Sequence, residues 1–381
     1  MDARKKICLV VASEMTVKVF LQDQLSALSA KFAVSLLLNT TRPREVLREA
    51  LRVKVVPVRI ERQIAPWRDL LALVELWRIF RRHRFELIHS VTPKAGLLAM
   101  GAARLAGIPV RVHTFTGQVW VGRRGMMRLL LKTMDRIIAA CATHVLVDSF
   151  SQRRFLVAEK VVPEGKSAVL AHGSISGVDR GRFRPDESAR RDIRREYGIG
   201  EAERLLLYLG RLTRDKGLLD LARAFSEVAA RDSGVHLLLV GPDEEGISDE
   251  IGGLCMAGRE RLHFQGFTST PERYMAAADI FCLPSYREGF GSVIVEAAAC
   301  GVPAVASRIY GITDAVADGE TGLLHEKGDV PGLRDSLLRL LDDPELRRVM
   351  GAKAAKRAAE KFDQAVVTAA LLDFYRRATG G

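Results

Sequence analysis

The chain has 381 residues, 48% hydrophobic and 27% charged, the balance of a folded protein with a sizeable core, which excludes a disordered tail. At about 150 to 200 residues per domain, that length favours two domains over one small module. Fifty-eight Lys and Arg against 46 Asp and Glu give +12, and the excess is lopsided: residues 1–180 carry 30 basic and 14 acidic side chains, +16, while residues 181–381 carry 28 and 32, −4. A basic half of this kind suits nucleic acid, an anionic membrane face or a phosphorylated substrate, and composition leaves the three open. The five cysteines, Cys8, Cys141, Cys255, Cys282 and Cys300, are odd in number and far apart, which argues against a disulfide framework or a zinc site and for a reducing cytoplasm.

Along the chain, KKICLVVAS opens with an apolar run, Ile7 to Ala12, too short for a secretory h-region and read here as a first strand. The amphipathic VFLQDQLSALSAKF follows, then the apolar runs AVSLLLN, ELIHSVT, PVRVHTF and THVLVDS. Strand and helix patterns in alternation imply a parallel sheet with helices on both faces. Residues 173–186, GSISGVDRGRFRPD, read as a loop, after which the pattern restarts with LLLYLGRL, VHLLLVGPD, RLHFQGF, ADIFCLPS and PAVASR. The expected organisation is two α/β domains, 1–180 and 181–361, with a last helix in 362–381 that packs back on the first. No uncharged apolar run reaches the ~20 residues that cross a bilayer, so membrane contact would be peripheral.

The turn after the first strand reads ASEMTVKVF, without glycine. A dinucleotide's pyrophosphate needs glycines there, and no GxxxxGK[ST] sequence occurs, so nicotinamide, flavin and P-loop chemistries are disfavoured. Two later segments carry better phosphate chemistry. In PSYREGFGSVIVEAAAC, residues 284–300, Gly289, Gly291 and Ser292 precede an apolar helical run, and N–H groups exposed at a helix N-terminus hold phosphate. Glu288 sits in that turn and Glu296 on the first turns of the helix, where a carboxylate can accept from paired sugar or ribose hydroxyls. The plainer reading is two surface acids. In GRLTRDKG, residues 210–217, Arg211 and Lys216 rise from a loop at the carboxyl end of a parallel strand, where ligands bind in open sheets; there they can neutralise a diphosphate leaving group or merely be solvated.

Together GRLTRDKG (210–217), SYREGFGSVIVE (285–296, with Glu288 and Glu296 in E-x7-E spacing), DGETGLL (318–324) and GVDRGRF (177–183) resemble glycosyltransferase family 4, the retaining nucleotide-sugar enzymes of GT-B architecture. HSVTPKAGLLAMGAARLAGIPVRVHTFTGQVW, residues 89–120, is similar to the bacterial branch that builds capsule, O-antigen and lipid-linked glycans. The resemblance implies an α/β fold of two Rossmann-like domains with a cleft between them. It implies that Arg211 and Lys216 bind the donor diphosphate, Glu296 the ribose and Glu288 the transferred sugar, with backbone at Phe290, Gly291, Ser292 and Val293 on phosphate or sugar. Gly266 and Phe267, in HFQGF, would meet the base, and His113, at the end of PVRVH, would face the sugar. Neither half shows a DxD-like carboxylate pair at a strand end, so the expected chemistry is metal-free, with no cofactor beyond a UDP-sugar substrate. Ser13, Glu14, Met15 and Thr16 replace the paired glycines that many members carry after the first strand, which puts acceptor contacts of distant members in doubt.

The implied activity is transfer of a hexose or N-acetylhexosamine to a polyprenyl-diphosphate-linked glycan at the cytoplasmic face of the membrane. The basic half would then meet anionic lipid: Arg123, Arg124, Arg128, Lys132 and Arg136 line a helix beside Met126, Met127, Leu130, Leu131 and Met134, and WRDLLALVELWRIFRRHRF (67–85) adds Trp67 and Trp77. Rival readings are a nucleotide-sugar epimerase or a glycogen-type synthase on the same scaffold, and a nucleic-acid binder. The last is opposed by 6% aromatic residues and the lack of any recognition motif.

Overall fold

A computed structural model describes residues 4–42, 53–61 and 65–380. The chain forms two compact units, residues 1–176 together with 365–381, and residues 177–364. The division therefore falls at Ser176 and Gly177 rather than at 180, and returns at Gln364 and Ala365 rather than at 361 and 362.

Among the described residues the N-terminal unit is built on seven parallel strands: β1 (Lys6–Val11), β2 (Ala33–Leu38), β3 (Lys54–Pro57), β4 (Leu87–Val91), β5 (Val110–Phe115), β6 (His144–Val147) and β7 (Ser167–Ala168). Their order is β3-β2-β1-β4-β5-β6-β7, so the chain reverses direction across the sheet between β1 and β4. Central strands of such a sheet are covered on both faces and read as unbroken apolar runs; every residue of β4 is buried. One face is covered by the helices Pro66–His83, Pro93–Leu105 and Gly125–Cys141, whose Leu76, Phe80, Leu98, Met100 and Ile138 share a core with Val10 and Ile88. The other face carries Val17, Leu21, Leu25 and Leu28, joined by Leu371 and Tyr375 of the last helix, Gln364–Ala378. That helix is fixed by polar bonds as well. Tyr375 Oη lies 2.5 Å from His89 Nδ1, His89 Nε2 lies 2.7 Å from Thr114 Oγ1, and Lys5 Nζ donates to the Thr379 carbonyl at 2.7 Å.

The C-terminal unit has six parallel strands, β8 (Arg204–Leu209), β9 (Val235–Val240), β10 (Leu262–Gln265), β11 (Ile280–Leu283), β12 (Ala304–Ser307) and β13 (Gly322–His325), in the order β10-β9-β8-β11-β12-β13. Its switch point lies between β8 and β11, and ligands of doubly wound sheets bind at the carboxyl ends of the strands flanking such a point. Its core runs from Phe183 to Phe362 through Phe225, Phe281 and Leu337.

The basic residues of the helix Gly125–Cys141 are not the free stripe that their spacing suggests. Arg128 and Lys132 both bond Glu159, at 3.1 and 2.5 Å, and both lie 5.5 Å from the ring centre of the buried Trp120. Arg136 donates to the backbone carbonyl of Lys160 at 3.0 Å. Alongside the partly exposed Arg128 and Thr133, the helix presents large apolar side chains to solvent: Met126, 87% exposed, with Met127, Leu129, Leu130 and Ile137. The helix Pro66–His83 likewise exposes Trp67, Leu70, Leu71 and Trp77. Among the described residues no helix is long and apolar enough to cross a membrane.

Candidate active site

The two loops at the switch point of the C-terminal unit are the segments that the sequence singles out, 210–217 after β8 and 284–292 after β11. Each is held by backbone rather than by chance contact. Tyr208, fully buried in β8, donates its hydroxyl to the Arg211 carbonyl at 2.8 Å, and the Gly210 and Leu212 N–H groups bond the carbonyls of Val240 and Pro242 at 2.9 Å each. The chain then makes a single turn, Arg214–Lys216, and enters the helix Leu218–Arg231 through Gly217 at φ +71°. A Cβ at Gly217 would stand 2.0 Å from the Pro284 carbonyl oxygen, so only glycine allows the β8 loop to lie this close to the β11 loop.

Further bonds stitch the loops together. Tyr286 N–H donates to the Asp215 carbonyl at 2.8 Å, and the Asp215 carboxylate accepts from Thr213 Oγ1 at 2.6 Å and from Arg287 at 2.9 Å. Lys216 Nζ lies 2.5 Å from Glu288 Oε1, which also accepts from Ser285 Oγ at 2.9 Å. The two charged side chains keep only 16% and 15% of their exposure. An ammonium and a carboxylate from the two switch-point loops are therefore paired in a mostly desolvated setting, where electrostatic terms outweigh those of surface pairs. Arg211 extends from the same loop to Glu244 at 2.9 Å, with both side chains a little under half exposed.

Past Glu288 the chain turns at Gly289, against which Gly311 packs so tightly that a Cβ there would lie 2.3 Å from the Gly289 carbonyl oxygen. Gly291, at φ +70°, is the N-cap of the helix Ser292–Ala299, and no side chain caps it. Phe290 is buried against Phe362, ring centres 5.2 Å apart, so this residue offers a ligand only its backbone. Glu296 lies in the helix's second turn; desolvation pushes its pKa up to about 7, Glu272 adding to the rise and Arg182 opposing it. Gly266 and Phe267 follow β10 at the carboxyl edge of the same sheet, Gly266 with open space around its Cα and Phe267 exposed. Arg211, Lys216, Glu288 and the Phe290–Glu296 segment thus lie on the two loops flanking the switch point, with Gly266 and Phe267 two strands away.

His113 belongs to the N-terminal unit and is 1% exposed. Its Nδ1 lies 2.8 Å from Ser90 Oγ, its ring meets Phe115 edge-on at 4.5 Å, and it occupies the space where a side chain on Gly96 would be. Burial and the neighbouring His89 lower its pKa to about 3, which makes it a neutral imidazole. Any bond it gives a substrate must pass through Nε2, which has no partner among the described residues. Asp318 and Thr321 shape a turn: Asp318 accepts from Leu324 N–H at 2.9 Å and Thr321 Oγ1 from Ala317 N–H at 2.9 Å. Sequence reasoning did not find Ser285, Asp215 or Arg287 as partners of the charged centre; a serine and an arginine beside Glu288 in SYRE were the available signal. Among the described residues no three His, Cys, Asp or Glu side chains converge as metal ligands.

Two doubly wound parallel-sheet units, the second with a cation and carboxylate pair and an uncapped helix at its switch point, have the GT-B architecture of glycosyltransferases. Residues 16–173 match the glycosyl transferase 4-like domain and residues 189–357 the glycosyl transferases group 1 domain, and the chain belongs to glycosyltransferase family 4. It is 29% identical over 322 residues to the capsular polysaccharide biosynthesis glycosyltransferase CapM of Staphylococcus aureus, covering 84% of each chain. It is 26% identical, over 83% of its length and 82% of the other, to the UDP-Gal:alpha-D-GlcNAc-diphosphoundecaprenol alpha-1,3-galactosyltransferase of Escherichia coli. Among solved structures it resembles Anabaena HepE in complex with UDP, with a TM-score of 0.80 and 20% identity over 98% of this chain and 100% of that one.

Proposed function

We propose that this glycosyltransferase moves a hexose or N-acetylhexosamine from a UDP-sugar to a polyprenyl-diphosphate-linked glycan, with retention of configuration and without a metal ion. The observation that carries the reading is the Lys216–Glu288 pair at the switch point, backed by Ser285 and set beside an uncapped helix N-terminus. In the proposed reaction Lys216 and Arg211 bind the diphosphate and stabilise the charge that grows on it as the glycosidic bond breaks. The N–H groups of Ser292 and Val293 add the positive end of the helix dipole. A fixed donor of this kind contributes on the order of a hundred- to a thousandfold in rate. Glu296 accepts from the ribose hydroxyls, Gly266 and Phe267 meet the base, and Glu288, held by Lys216 and Ser285, accepts from a hydroxyl of the transferred sugar. The acceptor hydroxyl attacks the face that the nucleotide leaves.

The acceptor class is supported by the E. coli relative, whose name specifies a diphosphoundecaprenol-linked sugar, and the UDP donor by that relative and by the HepE complex. Work at the cytoplasmic membrane face is supported by the exposed apolar faces of two helices in the basic unit, a pattern that suits an interfacial helix. Arg123 and Arg124, ahead of the Gly125–Cys141 helix, supply the charge for anionic lipid. The test is a panel of UDP- and GDP-sugars against polyprenyl-diphosphate monosaccharides, read by mass spectrometry. A lipid product heavier by one sugar is expected from a UDP donor; transfer only from GDP-sugars, or to no lipid-linked acceptor, overturns the reading.

A further inference from the structure

The two donor-site cations of the C-terminal unit have unlike partners. Lys216 shares a mostly desolvated pair with Glu288, and parting them would strand a charge out of water. Arg211 pairs with Glu244, Nη1 to Oε2 at 2.9 Å, where the side chains keep 49% and 41% of their exposure. An ion pair that retains this much solvent costs little to open, so Arg211 can exchange one anion for another.

The fold, more than its own side chain, places Glu244. It lies in GPDEEG, residues 241–246, the loop that follows β9. That loop is joined to the one after β8 by backbone: Leu212 N–H bonds the Pro242 carbonyl at 2.9 Å, and Leu212 and Asp243 form a parallel bridge. A Cβ at Gly241, φ +142°, would stand 1.9 Å from the Gly210 carbonyl oxygen, so this approach requires glycine. The three consecutive acids of the loop then differ in what they hold. Asp243 accepts from the N–H groups of Ile247 and Ser248 at 3.0 Å each, and Glu245 from Arg214 N–H at 3.0 Å, which closes the loop on itself and on its neighbour. Glu244 bonds the guanidinium that the donor reaction calls on.

A phosphate on Arg211 therefore sits no more than the width of one guanidinium from a carboxylate, well inside the Debye length of about 10 Å at 0.1 M salt. The carboxylate cancels part of the cation's charge and repels the anion that takes its place. This penalty grows with the charge of the ligand. Loss of the sugar frees the terminal phosphate of the nucleotide, whose second ionisation falls at about pH 6, so above that pH the nucleoside diphosphate product carries one more negative charge than the donor. Glu244 thus weighs more heavily against product than against donor.

We propose that Glu244 discriminates between donor and spent nucleotide: it reclaims Arg211 once the sugar has left, which speeds release of the nucleoside diphosphate and limits product inhibition. This role rests on the reading of Arg211 as a diphosphate ligand, and the experiment keeps the two apart. Calorimetry at pH 8 measures UDP and UDP-glucose on the full-length wild type, Glu244→Gln, Arg211→Met and the double variant. Glutamine keeps an acceptor for Arg211 and drops the charge. UDP is expected to bind Glu244→Gln at least fivefold more tightly than the wild type, and UDP-glucose at most threefold more tightly. A damaged fold would weaken binding, so a gain separates this role from a structural one. In 0.5 M NaCl both gains should shrink to within twofold. On the Arg211→Met background, which lacks the bond that holds the carboxylate in place, the gain for UDP should shrink likewise. Equal gains for the two ligands, a gain that persists without Arg211, or UDP binding unchanged or weakened in Glu244→Gln would overturn the role of Glu244; if Arg211→Met still loses tenfold or more in UDP affinity, Arg211 stands as a diphosphate ligand. Wild-type affinity in Arg211→Met, or no UDP binding by the wild type, would refute the donor reading and the role of Glu244 with it.

Discussion

Replacing Lys216 by Met removes the ammonium and leaves Glu288, at 15% side-chain exposure, with the Ser285 hydroxyl as the other recorded bond to its carboxylate. Removing one partner of a fully buried pair costs about 3–5 kcal/mol; the exposure that both groups retain lowers this to about 2 kcal/mol. For a unit of this size that is a fall of about 4–8 °C in the melting of the C-terminal unit. The catalytic loss is separate. A cation missing from the leaving diphosphate lowers kcat by about a hundred- to a thousandfold. The double variant Lys216→Met/Glu288→Gln separates the two effects, because no uncompensated charge remains: melting should return to within about 2 °C of the wild type, with kcat no better than in the single variant. Scanning fluorimetry and UDP release under donor saturation read both quantities. A single variant with kcat within threefold of the wild type, or a double variant that regains activity, would refute the assignment of Lys216.

Glu296 gives a pH signature. Its pKa, raised to about 7, means that the folded state favours the protonated group, so its contribution to stability is present at low pH and lost as pH rises through 7; Glu296→Gln should melt higher than the wild type at pH 8 and equally at pH 4.5. Since the ionised form accepts the ribose hydroxyls, UDP-glucose should bind the wild type several-fold more weakly at pH 6 than at pH 8, whereas Glu296→Gln binds weakly at both; parallel profiles in calorimetry would contradict the ribose role. Transfer should continue in EDTA, and a loss reversed by Mg²⁺ would count against charge stabilisation by Arg211 and Lys216 alone. Changing Met126, Leu129 and Leu130 together to Ser should release the protein from anionic liposomes in flotation with no change in melting temperature; undiminished binding would move the membrane contact away from this helix.

The sequence made ten of the thirteen strands among the described residues readable, because long buried strands of a parallel sheet are unbroken apolar runs. The three it missed have little to bury or to repeat. β3 is short and nowhere fully buried, β7 is two residues long, and β13 begins at a glycine inside what reads as a turn, DGETGLL. The two phosphate-chemistry loops were legible through their glycines and spacing, but the bond between Lys216 and Glu288 joins residues 72 apart and depends on the strand order, which local pattern does not encode. The basic stripe misled for a related reason. Helical spacing places Arg128, Lys132 and Arg136 on one face, yet only the fold brings Glu159 and Trp120 to that face and turns the methionines and leucines outward. His113 was visible as a strand-end histidine; its enclosure by Ser90, Gly96 and Phe115 was not.

The most direct test of the central claim is the anomeric configuration of the sugar added to a polyprenyl-diphosphate monosaccharide from a UDP-α-sugar, read by proton NMR on the purified product together with its mass. The account predicts one added sugar in α linkage from the wild type and none from Lys216→Met/Glu288→Gln. A β-linked product, or UDP-sugar consumed to a free epimerised sugar with no gain of mass on the lipid, would contradict it.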